Sequence, residues 1–321
     1  MRRNVVVLLA AMAQNAAALA IPRLGLGSAE GPPHEAMASA VDAALRSNIL
    51  LVDTAQNYGS EAAIGEGLRR SGRDDAFVLC KVDLCTRGHE DPRRRMRRQV
   101  TESKRKLGRV NAVALHWPIL LDAPASDADA RAVRADAWRE LEAMVDEGLV
   151  SCLGLSNFDV KLMDEIIALA RHPPVLNEVE LNPRCYQAEL LAACAARGVR
   201  VVGYSPYSTC WLAKYFPDFV PWPATSVLED ATVAAVAAEA GCTPAQACVA
   251  WAMAKGASPI PKSLNPERVR ATARCLGDDI SLTAEQEARL DALRDPRRGV
   301  GASLAAHARI IASPDYVWDP T

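Results

Sequence analysis

Short apolar runs that end abruptly in a polar or charged residue recur along this chain. Between them lie longer stretches in which apolar residues return every three or four positions. The runs predict strands at Leu24–Gly27, Ile49–Asp53, Phe77–Val82, Val110–His116, Val150–Leu155, Val175–Leu181, Arg200–Tyr204 and Pro259–Pro261. The amphipathic stretches predict helices at His34–Arg46, Arg93–Leu107, Asp136–Glu147, Val160–Ala170 and Gln187–Ala196, and two more near Ala231–Ala240 and Pro244–Lys255. Gly108, Gly148 and Gly198 each follow a helical segment, where a left-handed cap is expected. Eight strands alternating with helices imply an α/β fold, and the expected form is a single (β/α)8 TIM barrel. A doubly wound sheet is the alternative. Against it, the nearest match to Gly-x-Gly-x-x-Gly, at Gly25-Leu26-Gly27-Ser28-Ala29-Glu30, lacks the final glycine.

No Pro/Gly/Ser-rich linker divides the chain, so residues 21–321 read as one barrel. The stretch from Tyr207 to Pro223 reads as a long loop after the seventh strand. Residues 1–20 run from Met1-Arg2-Arg3 through Val5–Leu9 into an alanine-rich segment. That pattern suits either a leader, secretory or organelle-targeting, or an N-terminal hairpin that covers the barrel floor.

Composition narrows the function classes. Of the 321 residues, 50% are hydrophobic and 24% charged, as in an ordinary globular enzyme. A net charge of −2 offers no general attraction to nucleic acid or to a membrane surface, so neither is an expected partner. The basic run Arg93-Arg94-Arg95-Met96-Arg97-Arg98 reads as a solvated helix face. There are nine cysteines, without a Cys-x-x-Cys pair, and several lie in apolar segments. This favours a reducing compartment, with the cytoplasm as the expected location, and argues against a disulfide framework or a zinc site.

The polar residues that close the strands carry the candidate chemistry. Asp53 closes the second strand, Lys81 the third and His116 the fourth, and Tyr58 stands on the loop after the second. In a barrel the loops at the C-terminal ends of the strands build the active site, so these neighbouring ends should converge. An acid, a phenol, an amine and an imidazole together can move a proton near neutrality. Each alone has a plainer reading: a structural ion pair for Asp53 and Lys81, a buried histidine, a loop tyrosine.

From about Ile21 to Leu293 the sequence resembles the aldo-keto reductases. The motifs that carry the resemblance are Leu24-Gly25-Leu26-Gly27, the signature from Asp53 to Gly65, Leu115-His116-Trp117-Pro118, Gly154-Leu155-Ser156-Asn157-Phe158, Asn177-Glu178-Val179-Glu180-Leu181-Asn182-Pro183, Tyr204-Ser205-Pro206 and Ile260-Pro261-Lys262-Ser263. The resemblance implies a (β/α)8 barrel that reduces small aldehydes and ketones with NADPH, less often NADH, without a metal. It implies a catalytic tetrad of Asp53, Tyr58, Lys81 and His116. Tyr58 would give the proton, Lys81 would ease its loss, Asp53 would hold Lys81, and His116 would orient the carbonyl oxygen and assist Tyr58. Some relatives act instead as cofactor-binding regulatory subunits on the same barrel, a second expectation for this chain.

The resemblance also implies a cofactor site. Tyr204 would stack on the nicotinamide, with Ser205 beside it, and Ser156 and Asn157 would bond its carboxamide. Glu178 stands where relatives commonly carry glutamine. It would accept from the same amide, unless a nearby base neutralises it or it points away. At the far end, Lys262-Ser263-Leu264-Asn265-Pro266-Glu267-Arg268 enters a helix with Asn265 as cap and Pro266 as first residue. Free N–H groups there attract an anion, and Lys262, Ser263 and Arg268 add charge and a hydroxyl. The family places the adenosine 2′-phosphate at this point. Ala271 and Thr272 replace the acid and asparagine that contact adenine in many relatives. Trp117 is the expected substrate wall, and Trp211, Tyr215, Phe216, Trp222 and Trp318 either line the mouth or pack their own loops.

Overall fold

The computed structural model describes residues 21–29, 31, 33–84, 91–120, 127–207, 218, 222 and 225–311. The expectations for residues 1–20, and for Trp211, Tyr215, Phe216 and Trp318, fall outside these residues.

Eight parallel strands form one sheet in sequence order: β1 (Gly25–Leu26), β2 (Leu51–Asp53), β3 (Phe77–Val82), β4 (Ala112–Leu115), β5 (Cys152–Ser156), β6 (Leu176–Glu180), β7 (Arg200–Tyr204) and β8 (Ser258–Pro259). The Gly27 N–H donates to Pro261 O at 3.1 Å, which ties the exit of the first strand to that of the last. The close approach explains the glycine there. A Cβ on Gly27 would come within 2.8 Å of the Ile260 carbonyl oxygen. The architecture is the expected (β/α)8 barrel, not a doubly wound sheet. Several strands are shorter than the apolar runs that announced them. Val110 and Asn111, for example, precede β4, although the Asn111 N–H already donates to Val78 O at 2.9 Å.

The helices α1 (His34–Arg46), α2 (Glu61–Ser71), α3 (Pro92–Leu107), α4 (Asp127–Asp146), α5 (Val160–Leu169), α6 (Ala188–Ala196), α7 (Ala231–Glu239), α8 (Pro244–Ala254), α9 (Pro266–Ala273), α10 (Ala284–Asp291) and α11 (Val300–Ile311) alternate with or follow the strands. The expected caps at Gly108, Gly148 and Gly198 are left-handed, with φ of 81°, 70° and 67°. Among the described residues no single helix is long and apolar enough to cross a membrane.

Strand alternation positions the site. Successive side chains of a strand point to opposite faces. Val52, Val78, Cys80, Val113, Leu115, Leu153 and Leu155 face outward into the main core beneath the helices. Leu51, Leu79, Ala112, Ala114, Leu176 and Val202 face inward and fill the barrel. The inward parity continues at each C-terminal end through Asp53, Lys81, Ser156, Glu178 and Tyr204, and past the ends through Asp83 and His116. The barrel interior thus changes from apolar to polar as it approaches its mouth.

Candidate active site

Lys81 is fully buried and lies between two carboxylates. Its ammonium donates to Asp53, the neighbour on β2, and lies 3.0 Å from the carboxylate of Glu178, which reaches across from β6. Burial opposes the Lys81 charge, yet the pull of Asp53 and then Glu178 outweighs it and holds the ammonium well above the usual lysine range. Two buried carboxylates share one ammonium, so the group carries one negative charge too many. Burial first, and the Asp53 charge second, push the Glu178 carboxyl up to about 8, against the opposing pull of Lys81.

Tyr58 ends a short 3₁₀ turn, Gln56–Tyr58, after β2. That loop is pinned from beneath. The buried hydroxyls of Thr54 and Ser28 both bond the Ser60 hydroxyl, at 3.1 and 3.0 Å, and the Gly31 N–H donates to Tyr58 O at 3.1 Å. The pinning sets the Tyr58 ring beside Lys81, with Nζ 5.2 Å from the ring centroid. The phenol oxygen lies 3.3 Å from His116 Nε2. Burial raises the phenol above its usual range. Lys81 opposes this, but Asp53, Glu178 and Asp83 reinforce it, and the net shift is upward. The expected easing of proton loss by Lys81 is therefore present but does not prevail over burial.

The four expected groups do meet at one place. Two further residues that the sequence reading left out join them. Asp83 is buried and lies 2.8 Å from His116 Nδ1 through Oδ1. Its Oδ2 accepts from Asn57 Nδ2 at 2.9 Å. The signal was available in the strand period, because Asp83 follows Lys81 by two positions and so shares its face.

Ser156 and Asn157 are buried at the exit of β5, and Asn157 takes a left-handed conformation with φ of 63°. Its amide donates to His116 O at 3.0 Å and to the Ser156 hydroxyl at 3.1 Å, while its oxygen accepts from the Tyr204 hydroxyl at 2.9 Å. Asn177 anchors the same loop, donating to Phe158 O at 2.8 Å. Tyr204 is half-buried, and Ser205 beyond it has φ of 48°. Glu178 lies at the same mouth, but Lys81 engages its carboxylate, the neutralising base that the sequence left open. Trp117 is buried, with its ring 6.2 Å from that of His116. Trp222 is also buried, with the Arg298 guanidinium 5.9 Å from its ring, and Arg298 pairs with Glu180.

Lys262, Ser263, Asn265, Arg268 and Arg270 line an open hollow at the start of α9. The cap is as expected, and it takes up N–H groups that would otherwise face an anion. Asn265 Oδ1 accepts from the N–H groups of Glu267 and Arg268, at 2.8 and 3.2 Å, and Pro266 has none to offer. The attraction for an anion in this hollow therefore rests on the side chains of Lys262, Ser263 and Arg268. Lys262 also donates to Ala29 O, and Arg268 is exposed. Thr272 bonds back to Arg268 O at 2.9 Å. The donor set suits a nicotinamide dinucleotide phosphate: cations and a hydroxyl at one end, an aromatic face and amide partners at the other.

Comparison with known proteins identifies the family. Residues 23–295 match the model of the aldo/keto reductase family. The chain is 32% identical over 274 residues to aldo-keto reductase family 1 member A1-A of Danio rerio, which spans 78% of this chain and 80% of that protein. It is 32% identical over 280 residues to an aldo-keto reductase of Mycolicibacterium vanbaalenii, across 87% and 90% of the two chains. Among solved structures, an aldo/keto reductase from Brucella melitensis superposes with a TM-score of 0.69 at 27% identity, covering 85% of this chain and 95% of that one. An aldose reductase from Giardia lamblia gives 0.69 at 25% identity, across 84% and 91%.

Proposed function

The chain belongs to the aldo/keto reductase family, and from that premise we propose that it reduces small aldehydes and ketones to alcohols with NADPH, Tyr58 giving the proton. One observation carries the reading. The phenol of Tyr58 stands at the barrel mouth between the Lys81 ammonium, 5.2 Å from its ring, and His116 Nε2, 3.3 Å from its oxygen.

Bound NADPH supplies the hydride to the carbonyl carbon. Tyr58 releases its proton to the carbonyl oxygen from the phenol oxygen. Its raised range keeps the phenol protonated before the step, the form that reduction needs. Lys81 stabilises the tyrosinate left behind, since a nearby cation favours the anion. Asp53 keeps Lys81 in place and charged. His116 serves either at the carbonyl oxygen or at the phenol's own proton. Tyr204, Ser205, Ser156 and Asn157 hold the nicotinamide end, and Lys262, Ser263 and Arg268 hold the 2′-phosphate, which makes NADPH the preferred cofactor and NADH the secondary one. A reducing compartment such as the cytoplasm follows from the cysteine usage, nine in number without a Cys-x-x-Cys pair and several in apolar segments.

The test is NADPH consumption against a panel of small aldehydes and ketones, with NADH in parallel. Multiple turnovers, faster with NADPH, are expected. Tight NADPH binding with negligible turnover on every compound would replace this reading with that of a cofactor-binding regulatory subunit.

A further inference from the structure

We propose that Asp83 is a positioning residue that fixes the tautomer of His116, so that this imidazole serves the proton of Tyr58 rather than the substrate's oxygen. The proposal rests on the carbonyl-reductase reading and sharpens it.

Four side chains close a ring around the reacting phenol. Asn57 precedes Tyr58 on the same turn and donates to Asp83 Oδ2 at 2.9 Å. Asp83 Oδ1 lies 2.8 Å from His116 Nδ1. His116 Nε2 lies 3.3 Å from the Tyr58 oxygen, which returns to the turn that carries Asn57. Asp83 Oδ1 and His116 Nδ1 are both buried, and among the described residues neither has a hydrogen-bond partner beyond this approach. Their approach is oblique for a full hydrogen bond, yet at 2.8 Å each faces the other. A buried acceptor and a buried donor so placed are costly to leave unsatisfied.

A carboxylate facing Nδ1 favours the ring form with its proton on that nitrogen. Nε2 is then bare and can only accept, and the group it faces is the Tyr58 hydroxyl. After Tyr58 has passed its proton to the carbonyl oxygen, a proton from solvent taken up on Nε2 moves to the phenolate oxygen. The atoms balance: the substrate gains the phenol's proton, and water replaces it through the imidazole. The Asp83 charge compensates the ring while it briefly carries two protons, as a buried aspartate does for histidine in serine-protease triads. Asn57 orients the carboxylate and couples it to the turn that carries Tyr58.

The experiment has two arms. The first is the imidazole nitrogen spectrum of His116 in the ligand-free wild type at about pH 8.5, where an ordinary imidazole is neutral. It is assigned by the signals that vanish in His116→Gln. A proton on Nδ1 is expected, and a bare Nδ1 overturns the proposal. This arm needs no turnover, so it stands or falls apart from the reductase reading. The second arm is Asp83→Asn, whose amide can donate to Nδ1 and so favours the opposite tautomer. We expect kcat for aldehyde reduction to fall by about tenfold or more, with the NADPH dissociation constant and the thermal midpoint little changed. A kcat within twofold of wild type overturns the proposal. Should Asp83→Asn not fold, the wild-type spectrum decides alone.

Discussion

Lys81 and Glu178 form an ion pair across the barrel interior, with Nζ 3.0 Å from the carboxylate, although their strands are not neighbours. Lys81 also holds Asp53, so one ammonium serves two buried acids. This sharing sets the charge of the candidate site, and it makes substitutions of the three residues interdependent.

Lys81→Met should therefore do more than slow the reaction. It leaves two buried carboxylates without their cation, and breaking such a pair costs about 3–5 kcal/mol. The thermal midpoint of Lys81→Met should drop sharply above about pH 8, where the Glu178 carboxyl of the wild type is charged. Adding Glu178→Gln should recover part of the loss, because one of the stranded charges is then gone. Thermal unfolding of the single and double variants is the check. A double variant no more stable than Lys81→Met would contradict the shared-ammonium account.

Glu178 should also tune the preference between oxidised and reduced cofactor. Its carboxyl is pushed up to about 8, so it is neutral below that pH and charged above it. A carboxylate near the ring favours the positively charged oxidised nicotinamide. Affinity for NADP+ relative to NADPH should therefore rise as pH climbs through about 8. The full effect is capped at roughly 3 kcal/mol for charges about 6 Å apart at an effective dielectric constant of about 20, before screening by solvent and Lys81. Fluorescence titration of both forms across this range should show the drift in the wild type and a flat ratio in Glu178→Gln. The same drift in both proteins would assign it elsewhere.

The hollow at α9 makes a separate prediction. With Asn265 occupying the first free N–H groups, a 2′-phosphate depends on Arg268, Lys262 and Ser263. Charge-assisted hydrogen bonds contribute about 1.5–3 kcal/mol each. Arg268→Ala should weaken NADPH binding by about tenfold or more and leave NADH nearly unchanged. Because Arg268 is exposed, the difference should shrink at high salt. Equal losses for both cofactors would remove the phosphate from this hollow.

The barrel and its mouth were legible because both follow from short-range pattern. Apolar runs marked the strands, glycines marked the helix ends, and Asp53, Lys81 and His116 each sit at or just past a strand end. What stayed hidden depends on distance across the fold. Nothing in the sequence around Glu178 says that its partner is Lys81, 97 positions away. The Asp83–His116 contact depends on the β3–β4 register, which sets Val82 opposite Leu115 and which the sequence does not state. At the start of α9 the cap that the sequence announces consumes the N–H groups that would have drawn a phosphate.

The most direct test of the central claim is the turnover of Tyr58→Phe. This change removes one hydroxyl and little volume, at a position whose oxygen lies 3.3 Å from His116 Nε2. Rates of aldehyde reduction are measured beside NADPH binding in the same preparation. A general acid contributes about 10²–10⁴-fold. We expect turnover to fall by at least about a hundredfold while the NADPH dissociation constant stays within about twofold of wild type, since the lost oxygen holds no part of the proposed cofactor site. Wild-type turnover by Tyr58→Phe on every aldehyde that the unaltered protein reduces would contradict the account.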